Sequence, residues 1–129
     1  MSVRTVAFVC WHGAAKSVIA AAYLNRLAAE RGLSLHATSA GTEPDPEIPP
    51  GVLAGLLRDG IDVRGRWPRL VTREALAAAW RVVAFGCDLD GLAPPGTPVI
   101  RWDDVPAVSD GFERARDVIA ARLPGLLEE

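Results

Sequence analysis

Residues 3–9, VRTVAFV, form a nearly continuous apolar run rich in β-branched and aromatic positions. That is the pattern of a parallel strand covered on both faces. From Ser17 the period changes. Val18, Ile19, Ala22, Tyr23 and Leu27 recur at helical spacing through residue 31, Arg26 and Glu30 fall on another face, and Gly32 follows. This predicts an amphipathic helix closed by a glycine C-cap.

Residues 33–40, LSLHATSA, alternate large or β-branched side chains with small or polar ones and predict a second strand. Gly41 then opens a proline-rich loop, TEPDPEIPP, reaching Pro50. Val52, Leu53, Leu56 and Leu57 predict a short helix that stops at Gly60, and Ile61-Asp62-Val63 leads into an irregular basic segment, 64–69. Thr72 is the expected N-cap of a third helix carrying Ala75 and Leu76. Residues 81–85, RVVAF, read as a buried strand, with Trp80, Val82 and Val83 expected in the core. Turn residues fill 91–98, Val99-Ile100 is a short strand, and a last helix is expected from Ser109 through Phe112, Ala115, Val118, Ile119 and Leu123.

Strands alternating with helices predict a parallel α/β sheet, and no repeat or linker divides the chain, so residues 1–129 are expected to form a single domain. Right-handed crossovers place the loop after the first strand at the carboxyl edge, where such sheets bind ligands. Composition narrows the partners. Apolar residues make up 50% and charged residues 23% of the 129, which fits a soluble globular domain. A net charge of −2 and the lack of a basic run interleaved with aromatics argue against nucleic acid. The apolar run at the N-terminus is too short for a signal h-region or a membrane span, so no membrane is expected and the expected location is cytoplasmic. Two cysteines, Cys10 and Cys87, supply neither a disulfide framework nor a four-ligand zinc site.

The chemistry is concentrated in C-W-H-G-A-A-K-S, residues 10–17. A cysteine ending a buried strand can be simply a packing residue. Here it is followed by small residues at Gly13, Ala14 and Ala15, a cation at Lys16, and Ser17 where the helix begins. Small residues let successive backbone N–H groups, from Trp11 and His12 onward, turn inward as a nest, and the helix N-terminus adds partial positive charge. A tetrahedral oxyanion fits there. The same field favours a thiolate at Cys10. Ser17 can donate its hydroxyl to the sulfur, His12 can orient the loop, and Lys16 can neutralise the oxyanion.

With VAFVC before the loop, TSAGTEP after the second strand, GIDVRGRWPRLVT in the middle and W-D-D-V-P near the end, nearly the whole chain resembles one superfamily. It is that of the low-molecular-weight protein tyrosine phosphatases and the arsenate reductases built on the same fold, whose loop is C-x5-R-[ST]. SAGTEP, GIDV and W-P-x-x-V-T bring it closer to the arsenate reductase branch. The resemblance implies a three-layer α/β domain with a four-stranded parallel sheet in order 2-1-3-4. It also implies a thiolate attack by Cys10 on arsenate or a phosphomonoester, with no tightly bound cofactor. Trp11 and Trp67 are candidates for holding a phosphotyrosine ring.

Two departures stand out. Lys16 replaces the family's arginine, keeping the charge and losing the bidentate fork. The Asp-Pro general acid expected on the late loop is absent from Asp103-Asp104-Val105-Pro106, which leaves Asp104 first and Asp103 second as candidate acids, or as solvated and capping carboxylates. Cys87 resembles the G-C of some arsenate reductases and is either a resolving thiol or a buried one. Two cysteines exclude an intramolecular three-cysteine relay, so a reductase would need glutathione, mycothiol or a redoxin. Three functions follow: an arsenate reductase-like or phosphatase-like enzyme, a protein tyrosine phosphatase proper, and a non-catalytic oxyanion sensor.

No metal site is expected. His36, alone in a strand, reads as structural; the arginines of 64–69 either steer an anion or are solvated; Asp88 and Asp90 are as consistent with a turn as with binding.

Overall fold

The computed structural model describes residues 3–128. In β1 (Arg4–Cys10) the chain is buried from Val6 onward. Val6, Phe8 and Cys10 face one layer, Ala7 and Val9 the other, as the alternation of a strand requires. The strand lies one residue later than the apolar run suggested, and Val3 is exposed. α1 (Lys16–Arg31) follows, closed by Gly32 at φ +65 with its N–H bonded to Ala28 and Ala29 carbonyls.

β2 (Leu35–Gly41) pairs with β1 in parallel. α2 (Pro50–Arg58) and α3 (Arg73–Ala78) come next, Thr72 capping α3 by accepting the Ala75 N–H at 3.1 Å. β3 (Arg81–Ala84) and β4 (Val99–Arg101) complete a parallel sheet of order β2-β1-β3-β4. A 3-10 turn (Val108–Asp110) precedes α4 (Phe112–Arg122), and a second (Leu123–Leu127) follows it.

The core has two compartments. Val6, Phe8 and Cys10 pack with Ile19 and Leu24 of α1, Val52 and Leu56 of α2, and Ala115 and Ile119 of α4. Ala7 and Val9 pack with Val71, Leu76, Cys87 and Leu89 on the α3 side. This is a three-layer α/β fold, with the parallel sheet that the alternating pattern predicts and the strand order that the resemblance implies. Phe8 is fully buried against Phe85 and Trp102, a burial that contributes about 1.5–3 kcal/mol.

Three positions refine what the pattern predicts. Trp80 packs half-buried against the larger core compartment, and the guanidinium groups of Arg4 and Arg81 lie over its ring at 4.6 and 4.3 Å, so cation–π contact adds to its core packing. The last helix starts at Phe112, because Gly111 at φ +141 breaks the turn begun at Val108. His36 is exposed.

Because all four strands run the same way, the loops after β1, β2, β3 and β4 share one sheet edge. No helix among the described residues is long and apolar enough to cross a membrane.

Candidate functional site

Cys10 ends β1 with its Sγ 2.9 Å from the Oγ of Ser17, and Ser17 is fully buried. No side chain caps α1 at Ala15, and no acidic residue occupies the first turn. The leading N–H groups therefore keep their capacity for an external anion. Gly13 lets the loop turn at φ +61 and lie on the end of β2: a Cβ there would sit 2.6 Å from the Gly41 nitrogen.

The segment after β2 is laced to this loop. Thr42, Glu43 and Asp45 donate their N–H groups to the carbonyls of Cys10, Trp11 and His12 at 3.3, 2.8 and 3.0 Å. Side chains repeat the connection. Trp11 Nε1 donates to Glu43 at 2.7 Å, and His12 Nδ1 lies 3.2 Å from both the Glu43 carbonyl and an Asp45 carboxylate oxygen. The Trp11 and His12 rings stack with centroids 5.3 Å apart.

On the opposite side, Lys16 Nζ donates to the Val105 carbonyl at 2.8 Å. That bond joins the loop cation to the segment after β4.

Cys10, Trp11, His12, Ala14, Ala15 and Lys16 line one cavity of about 720 Å³. Val52 and Ala54 of α2, Phe85, Phe112 and the Ala107–Ser109 stretch make its other walls largely apolar, with Asp45 and Arg58 as further charged groups. Gly13 and Ser17 lie beneath, supporting the loop from its β2 and α1 sides. The cavity thus runs from Cys10 and the start of α1 to an apolar wall along α2.

Asp103 and Asp104 are not brought to this cavity. Asp103 accepts from the Gly86 N–H at 2.8 Å and from Arg101 at 2.9 Å, and these partners, Arg101 foremost, hold its carboxyl below the usual range. Asp104 forms a two-pronged pair with Arg122 at 2.8 and 2.7 Å, which lowers its carboxyl to about 2. Both acids are spent on holding the late loop. The residues that this loop turns to the cavity are Ala107, Val108 and Ser109, none of them a carboxylic acid.

Cys87 lies in the core compartment opposite to that of Cys10, its thiol donating to the Val9 carbonyl at 3.4 Å. Burial, and next the charge of nearby Cys10, push the Cys87 thiol up. Trp67 is placed away from Cys10, in a separate cleft of about 430 Å³ with Arg66, Arg69, Asn25 and His36. Asp88 bonds the Asp90 N–H as a turn. Among the described residues no cluster of His, Cys, Asp and Glu could hold a metal ion.

Sequence reasoning passed over Asp45 and Glu43, which stood only as members of a proline-rich loop. The available signal was topological: a loop after β2 must open at the same carboxyl edge as the loop after β1.

The model of the low molecular weight phosphotyrosine protein phosphatase family matches residues 5–92, and the chain belongs to that family. It is thereby an enzyme of the cysteine-dependent class that holds phosphatases and, on the same fold, arsenate reductases. Among solved structures it is similar to YfkJ from Bacillus subtilis, with 26% identity over 98% of this chain and 94% of that one and a TM-score of 0.83. A second is the thioredoxin-dependent arsenate reductase Cg_ArsC1' of Corynebacterium glutamicum, 31% identical with a TM-score of 0.81. The match covers 97% of this chain, which spans 60% of that protein's length. The low molecular weight protein tyrosine phosphatase of T. tengcongensis shares the fold at a TM-score of 0.85 and 19% identity, covering 96% and 97% of the two chains. No curated protein matches the sequence.

Proposed function

We propose that the protein is a cysteine phosphatase for phosphomonoesters with an apolar or aromatic body. The observation that carries the reading is Cys10 Sγ at 2.9 Å from Ser17 Oγ, at the uncapped start of α1 and at the wall of a largely apolar cavity. In this reading the nest amides and Lys16 hold the phosphoryl oxygens, and the Cys10 thiolate attacks phosphorus to form a phosphocysteine. Ser17 donates to the sulfur and so helps it leave when water attacks. Trp11 and Phe112 flank the body of the ester.

Arsenate reduction is the second reading, supported by the 31% identity to a thioredoxin-dependent arsenate reductase. Cys10 would then form an arseno-cysteine. Two cysteines cannot make a three-cysteine relay, so in that reading the reduction is completed by glutathione, mycothiol or a redoxin.

Purified protein assayed with p-nitrophenyl phosphate, and separately with arsenate plus each thiol donor, distinguishes the two. Hydrolysis abolished by Cys10→Ser supports the phosphatase. Arsenate turnover without ester hydrolysis replaces it with the reductase.

A further inference from the structure

Transfer of a phosphoryl group from an ordinary alcohol or phenol needs a proton for the departing oxygen, and the late loop presents none. The ionisable side chains that line the cavity are Cys10, His12, Lys16, Asp45 and Arg58. Cys10 is the nucleophile in the reading above, on which this inference rests. Lys16 is bonded to the Val105 carbonyl, and a guanidinium such as that of Arg58 does not release its proton in proteins. His12 and Asp45 remain, and they touch each other.

Their contact defines which nitrogen exchanges. Nδ1 of His12 is hydrogen-bonded to the Glu43 carbonyl at 3.2 Å and makes an ion-pair contact with an Asp45 carboxylate oxygen, also at 3.2 Å. A carbonyl can only accept, so Nδ1 carries a proton in that bond, and Nε2 is the position left to exchange one. The ring is held in plane by its stack on Trp11, itself tied to Glu43. The charged groups around it are Asp45 and Glu43 on the loop after β2, Lys16 at the start of α1 and Arg58 at the end of α2.

We propose that His12 is the general acid and base of this enzyme and that Asp45 is its positioning residue. As the Cys10 sulfur bonds to phosphorus, the bond from phosphorus to the ester oxygen breaks, and that oxygen takes the proton from Nε2. Neutral His12 then accepts a proton from the attacking water, the S–P bond breaks, and inorganic phosphate leaves with the thiolate restored. A carboxylate orienting a histidine through Nδ1 recurs in enzymes whose histidine works through its other nitrogen.

The test compares kcat/KM for p-nitrophenyl phosphate, whose leaving group departs readily as an anion, with that for phenyl phosphate, whose leaving group needs the proton. Removing a general acid costs roughly 10²–10⁴-fold where it is needed. His12→Asn is expected to lower kcat/KM for phenyl phosphate by about 10²-fold or more while that for p-nitrophenyl phosphate falls far less. Asp45→Asn shows the same selectivity to a smaller extent. Adding Ala107→Asp to His12→Asn, which puts an acid on the late loop, is expected to restore the phenyl ester selectively. Equal losses on both esters, or none, overturn the role of His12. A natural protein inactive on both overturns the phosphatase reading as well.

Discussion

Lys16 Nζ stands 2.8 Å from the Val105 carbonyl oxygen, so the cation of the oxyanion loop is bonded to the late loop. An ammonium carries its charge on one point and bonds where the nearest acceptor lies, whereas a guanidinium presents a planar fork to two oxygens. The bond also stitches α1 to the loop held by the Asp104–Arg122 pair. Position 16 anchors the opposite wall, and in the proposed reading it also supplies charge for the oxyanion.

Restoring the fork is expected to improve catalysis. Lys16→Arg adds a charge-assisted hydrogen bond to the transferring group, worth about 1.5–3 kcal/mol. Turnover of p-nitrophenyl phosphate should rise by roughly 10- to 100-fold. Steady-state kinetics check this; an unchanged rate means that position 16 does not contact the oxyanion.

The buried hydroxyl of Ser17 has the sulfur of Cys10 as its partner. In Ser17→Ala the thiolate loses that donor and leaves phosphorus less readily. Breakdown of the phosphocysteine should slow by about 10-fold or more, making a burst of phenolate visible in rapid mixing. A loss confined to KM would contradict this role.

Gly13 pairs a left-handed backbone with a backbone contact that leaves no room for a Cβ. Gly13→Ala is expected to cost at least about 1–3 kcal/mol from conformation alone. Denaturant unfolding measures that loss, and turnover falls with it because the nest is pushed off β2.

Much of this fold could be read locally. The apolar run of β1, the stop at Gly32 and the cap at Thr72 depend on neighbours within a few residues, and the structure has all three. Likewise, the small residues at 13–15, Lys16 and Ser17 are contiguous, so their gathering around Cys10 was visible as a spacing. The opposing walls were not. Whether Asp104 faces Cys10 or Arg122 depends on α4, eighteen residues later, and Asp45 meets His12 only because β1 and β2 pair in the register Cys10 to Gly41. Trp80 packs at the core edge, and Arg4 lies over its ring only because β1 and β3 pair, a contact no local pattern shows.

Asp104 also gives a pH prediction. Its carboxyl is lowered from 3.8 to about 2, chiefly by the hydrogen bonds from Arg122. A depressed carboxyl stabilises the fold above its unfolded value, and the contribution is lost as pH falls from about 4 towards the folded value. Asp104→Asn should therefore melt below the natural protein at neutral pH, with the difference closing near pH 2. Turnover of p-nitrophenyl phosphate is expected to persist, since Asp104 does not line the cavity. Loss of hydrolysis with the Tm unchanged would return Asp104 to the chemistry.

The nucleophile is tested most directly by acid-quenching the protein during turnover of p-nitrophenyl phosphate and mapping phosphoryl groups by peptide mass spectrometry. Nucleophilic attack by Cys10 leaves one phosphoryl group on the peptide that holds it, accumulating further in Ser17→Ala and absent from Cys10→Ser, which is expected to be inactive. Hydrolysis undiminished in Cys10→Ser, or a phosphoryl group on another residue, would contradict it.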